Sequence, residues 1–101
     1  VEAARGVAQR AMLEGGGADA ARAEFMFRLV TSRRPSAEEL DVLLSLYLEQ
    51  QTEFASDPEA ASALLGVGRS PRDESLDPAS HAAWTMVANL VLNLDETISK
   101  G

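Results

Sequence analysis

The sequence predicts an all-α fold: a compact bundle of about five helices, with the last helix central. Three observations carry this. Apolar residues recur at helical spacing in several separate segments, and no segment shows the two-residue alternation of a strand. Helix-start signals stand at Ser36/Glu39, Asp57-Pro58 and Asp77-Pro78. With 101 residues, 46% of them hydrophobic, the chain is long enough for one domain with one modest core and too short for two, so residues 1–101 read as a single helical domain.

From Val1 to about Glu14, Ala4, Val7, Ala8, Ala11 and Met12 follow the i, i+3, i+4, i+7 rule, and Gly15-Gly16-Gly17 stops the helix. Asp19 is the N-cap candidate for a second helix, whose Ala21, Phe25 and Leu29, flanked by Met26 and Val30, form an apolar stripe ending at Ser32. The corner that follows is specified almost residue by residue. Ser36 and Glu39 have the spacing of a capping box, with Pro35 and Leu40 in the staple positions on either side. Arg33 and Arg34 complement the carbonyl end of the helix before it, and Glu38 and Glu39 the amide end of the helix after it.

The third helix is predicted to be long and amphipathic, with Leu40, Leu43, Leu44, Tyr47, Leu48 and Phe54 on one side and Asp41, Ser45, Glu49 and Thr52 opposite. Asp57-Pro58 starts a short fourth helix to about Leu65, because proline at the first helical position loses no intrahelical bond. Residues 66–76 carry Gly, Pro, Ser and mixed charge without period and read as one long, mobile loop. Asp77-Pro78 opens the last helix, with Trp84, Val87, Ala88, Val91, Leu94 and Ile98 on its stripe. Met86, Leu90 and Leu92 lie outside that stripe, so its middle is apolar nearly all round, the pattern of a buried central helix. It is expected to pack across the second and third helices.

The net charge of −7 opposes binding to nucleic acid, whose phosphates require clustered Lys and Arg; only Arg69 with Arg72 and the Arg33-Arg34 pair approach a basic patch. No run is long enough to span a membrane, so no membrane insertion is expected. No cysteine is present, which removes thiol chemistry, and no metal or cofactor is expected. The chain begins at Val1 without an initiator Met and reads as a fragment of a larger protein.

Few residues suggest chemistry. His81 stands beside Ser80 and near Asp77, but neighbours in one helical turn do not make the nucleophile, base and orienter line of a triad, and a surface histidine is expected. Asp73, Glu74 and Asp77 lack the alternating oxygens and central Gly of a calcium loop and read as solvated acids. Gly66-x-Gly68 has neither the strand before it nor the Lys after it that a phosphate loop needs.

The residues singled out are therefore structural or interaction candidates: Arg28, Arg33, Ser36, Glu39, Trp84, Asn89, Asn93 and Glu96. Asn89 and Asn93, one turn apart on the most apolar helix, are expected to be buried amides bonded to backbone ends of neighbouring segments, the alternative being ligand contact. Trp84 is expected to anchor the core with its indole N–H on a polar partner, the alternative being an exposed platform for carbohydrate. A Glu96 carboxylate near a helix C-terminus calls for a cation, and Arg33 or Arg28 is the candidate.

Residues 27–40 (Phe-Arg-Leu-Val-Thr-Ser-Arg-Arg-Pro-Ser-Ala-Glu-Glu-Leu), Ala83-Trp84-Thr85-Met86-Val87 and Leu92-Asn93-Leu94-Asp95-Glu96-Thr97 together carry a resemblance. The chain resembles the C-terminal part of a planctomycete-type family of large exported proteins, the "domain of unknown function fifteen fifty-three", often joined to cytochrome-c-like domains. The resemblance implies an exported, periplasmic or cell-surface location, and partners in the upstream domains of the parent chain, or other proteins or polysaccharide reached through it. It carries over no activity, and the Cys-x-x-Cys-His haem motif is absent here, so no haem role follows. The reading is a noncatalytic helical module; the alternative is a segment completing the active site of an upstream enzyme domain through Arg28, Arg33 or Glu96.

Overall fold

The computed structural model describes the backbone of residues 2–66 and 77–100, and the side-chain surroundings of residues 3–66 and 77–94. These form five helices: α1 (Glu2–Glu14), α2 (Asp19–Thr31), α3 (Ala37–Ser56), α4 (Pro58–Leu65) and α5 (Pro78–Lys100), with no strand among the described residues. The radius of gyration, 12.7 Å, is that of a compact globule of this length.

Local chemistry sets the boundaries. α1 stops against α2 at Gly15, where a Cβ would stand 2.5 Å from the Ala11 carbonyl oxygen and 3.1 Å from the Arg22 Cα, so only glycine allows the two helices this close. Gly16 then takes φ +96°, and its carbonyl accepts from Arg22 Nε at 2.9 Å. Asp57 closes α3, its N–H donating to the Glu53 and Phe54 carbonyls. The same residue opens α4, its Oδ1 accepting from the Ala60 N–H at 3.2 Å. Asp77 caps α5 likewise, through Ser80 N at 3.0 Å.

The core is made by α5, which touches all four other helices, most extensively α1 and α3. Ala83, Trp84, Val87, Ala88 and Val91 are buried against Ala4, Ala8, Ala11 and Met12 of α1, Met26 and Phe27 of α2, and Leu43 and Tyr47 of α3. The alanines on both α1 and α5 permit close approach of the two helices. The Trp84 indole stacks on the Tyr47 ring at 4.1 Å between centroids, and the Tyr47 hydroxyl donates to Ser80 Oγ at 3.3 Å. A smaller cluster of Ala61, Leu65 and Ala82 seats α4 on α5.

Several expectations are corrected. The Asp19 side chain does not cap α2, whose N-cap is Ala18. The buried face of α2 is Ala23, Met26 and Phe27, while Ala21 is exposed and Leu29 keeps 38% of its surface; both sets have helical spacing, and only the position of α5 chooses between them. On α3, Leu48 is exposed, because the helix is covered along a narrower stripe centred on Leu43 and Tyr47. α5 lies chiefly on α1 and α3 rather than on α2 and α3. His81 is fully buried rather than at the surface. The expected mobile loop lies, beyond Gly66, outside the described residues, as do Arg69, Arg72, Asp73, Glu74 and the Ile98 side chain.

Candidate functional site

The corner between α2 and α3 is a closed polar network. Thr31 Oγ1 donates to the Phe27 carbonyl at 2.7 Å, and Ser32 takes the left-handed conformation (φ 64°) with its N–H on the Arg28 carbonyl. The chain then turns so that the Arg33 guanidinium lies 4.7 Å from the centroid of the buried Phe27 ring. From there it donates twice to Glu39, at 2.9 Å to Oε1 and 2.8 Å to Oε2. Glu39 Oε1 also accepts from the Ser36 N–H at 2.8 Å, while Ser36 Oγ accepts from the Glu39 N–H at 3.1 Å, completing the capping box. The Arg33 and Ser36 bonds favour the ionised carboxylate and lower the Glu39 pKa to about 2. The same pair raises Arg33 above its ordinary value.

Beside this corner, between α1 and α2, runs an open groove of about 490 Å³ lined by Arg10, Phe25, Arg28, Leu29 and Ser32. Arg10 reaches back to Glu14 one turn on, at 3.0 Å, in a pair exposed on both sides, and its guanidinium lies 6.0 Å from the Phe25 centroid. Arg28 is exposed and forms no ion pair among the described residues, although Glu24 stands one turn before it.

Charge is segregated along the chain. Residues 1–34 carry six arginines against four carboxylates, whereas residues 35–68 carry seven carboxylates and no Lys or Arg. Arg10, Arg22, Arg28, Arg33 and Arg34 all belong to α1, α2 and the corner, and of these Arg10 and Arg28 line the groove together. Arg5, also on α1, is instead buried and donates from Nη1 to the Leu65 carbonyl at the end of α4, at 2.7 Å.

The structure brings together Arg33, Ser36 and Glu39, and places Arg28 in the adjoining groove. Arg33 takes Glu39 as its bidentate partner; the Glu96 side chain, for which Arg33 or Arg28 was the expected cation, lies outside the described residues. Asn89 is only half-buried and Asn93 is exposed, so the pair are not buried amides. Trp84 has no exposed face for a sugar. Its indole N–H, expected to reach a polar partner, has none among the described residues, because its ring is surrounded by alkyl and aromatic groups.

Sequence reasoning missed Arg5 and His81, which flank the α1–α5 contact with His81 Nε2 3.5 Å from the Arg5 carbonyl oxygen. The signal was present in the spacing. Arg5, Ala8 and Met12 share one stripe, as do His81, Trp84, Thr85 and Ala88.

Among the described residues no three His, Cys, Asp or Glu side chains converge on a metal position, and no helix is long and apolar enough to cross a membrane. No family model matches the chain, and no curated protein or solved structure matches it.

Proposed function

We propose that this chain is a noncatalytic helical module that packs on, or mediates the contacts of, a larger exported protein of the "domain of unknown function fifteen fifty-three" type. The observation that carries the reading is the segregation of charge. Two arginines beside partly exposed apolar side chains, in the net-basic first third of a chain of net charge −7, with Arg28 in no ion pair among the described residues, suit a surface that meets another polypeptide. The adjoining corner is fixed by the Arg33 guanidinium, which bonds Glu39 of α3 and lies against the Phe27 ring of α2. The family and the exported location rest on the resemblance in residues 27–40, 83–87 and 92–97.

Mixing the 101-residue chain with the separately produced upstream domains of the parent protein tests the reading. Calorimetry is expected to show a saturable complex that weakens with salt. Absence of a complex, together with an unchanged melting profile when the segment is deleted from the parent, overturns it. Of the two described candidates for the alternative, completion of an upstream active site, Arg28 favours it, because Arg33 is already engaged by Glu39 and Phe27. Loss of parent activity in Arg28→Ala with assembly intact would select that alternative.

A further inference from the structure

We propose that the α1–α2 groove docks an acidic amphipathic polypeptide segment, its carboxylates held by Arg10 and Arg28 and one apolar side chain seated between Phe25 and Leu29. The inference rests on the contact-module reading and gives it a surface and a partner chemistry.

Charge complementarity and the nature of the lining select the occupant. The groove is bounded by two guanidiniums, which match carboxylates bidentately, and its floor is an aromatic ring and a leucine that retains 38% of its surface. A purely apolar partner would desolvate the Arg28 guanidinium and the Arg10–Glu14 pair without compensation, and a purely anionic one would leave Phe25 and Leu29 wet. An amphipathic segment with carboxylates on either side of an aliphatic or aromatic residue satisfies both demands, as in helix-in-groove recognition. The volume of about 490 Å³ suits a few side chains rather than the flat face of a domain. Among the described residues Arg28 has no ion pair to give up, and the Arg10–Glu14 pair, open to water on both sides, exchanges readily for an incoming carboxylate.

The experiment is fluorescence anisotropy at low ionic strength with two labelled peptides of one design, Glu with Leu and Phe at helical spacing, the second having Lys in place of every Glu. The acidic peptide is expected to bind saturably and the lysine peptide not. The Arg10→Glu/Arg28→Glu double variant, checked for native helicity by circular dichroism, is expected to bind at least about tenfold more weakly. Leu29→Ser, which leaves both arginines, is also expected to weaken binding. Equal binding of the two peptides, or an affinity unchanged in the double variant, overturns the proposal. Self-association of the chain that Arg28→Glu abolishes also overturns it, assigning the groove to a second copy. If the double variant still binds the parent's upstream domains undiminished, the groove is not the contact surface although the module reading stands. Loss of that binding in the double variant supports the groove.

Discussion

Replacing Arg5 by Met tests whether the buried guanidinium stabilises the fold or is merely tolerated. Arg5 is 4% exposed and donates at 2.7 Å to the carbonyl of Leu65, itself 1% exposed. That carbonyl is one of the acceptors a helix C-terminus leaves without an intrahelical partner. A hydrogen bond from a charged donor contributes about 1.5–3 kcal/mol, and an orphaned buried acceptor costs a similar amount. Met fills most of the space of the aliphatic stem, so packing loss stays small. Relief of the guanidinium's desolvation acts in the opposite direction. The two large effects do not cancel, because a charge bound to a helix end also interacts favourably with the macrodipole. The expected net loss is about 2 kcal/mol, equivalent to about 10 °C in Tm for a chain of this length. Arg5→Ala, which also removes the stem's methylenes at about 0.8 kcal/mol each, is expected to lose about 2 kcal/mol more. Urea titrations followed by circular dichroism measure both. An Arg5→Met midpoint at or above that of the parent sequence, with unchanged slope, refutes the reasoning.

Ser36→Ala is expected to lower stability by about 1 kcal/mol, since it removes the oxygen that accepts from Glu39 N–H; an unchanged urea midpoint means that the cap contributes nothing. Glu39 is expected to titrate at about 2 by carbon-detected NMR, and to return toward the ordinary carboxylate range in Arg33→Gln. Because its folded pKa is depressed, the stabilisation it provides is complete above the unfolded value near 4.5 and disappears as pH falls toward about 2; Arg33→Gln should flatten that acid limb of the stability curve. Trp84→Phe is expected to cost under about 1.5 kcal/mol, because the phenyl keeps an aromatic partner for Tyr47 while removing a buried N–H donor. Calorimetric melting decides this, and a loss as large as the roughly 3–5 kcal/mol of a Trp→Ala truncation would show that the indole N–H is engaged.

The helix boundaries were legible because they are written in local chemistry. Ser36 with Glu39, Asp57 with Pro58 and Asp77 with Pro78 each act within four residues, and all three caps form as the spacing requires. The faces were harder to read. In α2 the run Phe25-Met26-Phe27-Arg28-Leu29-Val30 is apolar on two sides, so periodicity alone admits either Phe25 with Leu29 or Met26 with Phe27 as the buried pair. The groove owes its floor to that choice. Arg5 and His81 were missed for the converse reason: their spacing marks the buried stripe, and their polarity argued against it. The Arg33–Glu39 bond lies six residues apart across a turn, where no helical register pairs them.

The position of α5 bears on how the chain reaches this structure. Arg5 meets Leu65 across sixty residues and the region of His81 across seventy-six, so the strongest contacts of α1 are non-local, unlike those of an up-and-down bundle in which each helix packs on its sequence neighbour. The core that joins Met12, Phe27 and Tyr47 is built largely by the buried residues of α5, so without α5 the other helices hold only partial cores. Ordering must therefore wait for a large loop to close, an entropic barrier that grows slowly with loop length but precedes any compensating burial. The chain should fold more slowly than its helical content suggests, and it should unfold in one step when α5 leaves.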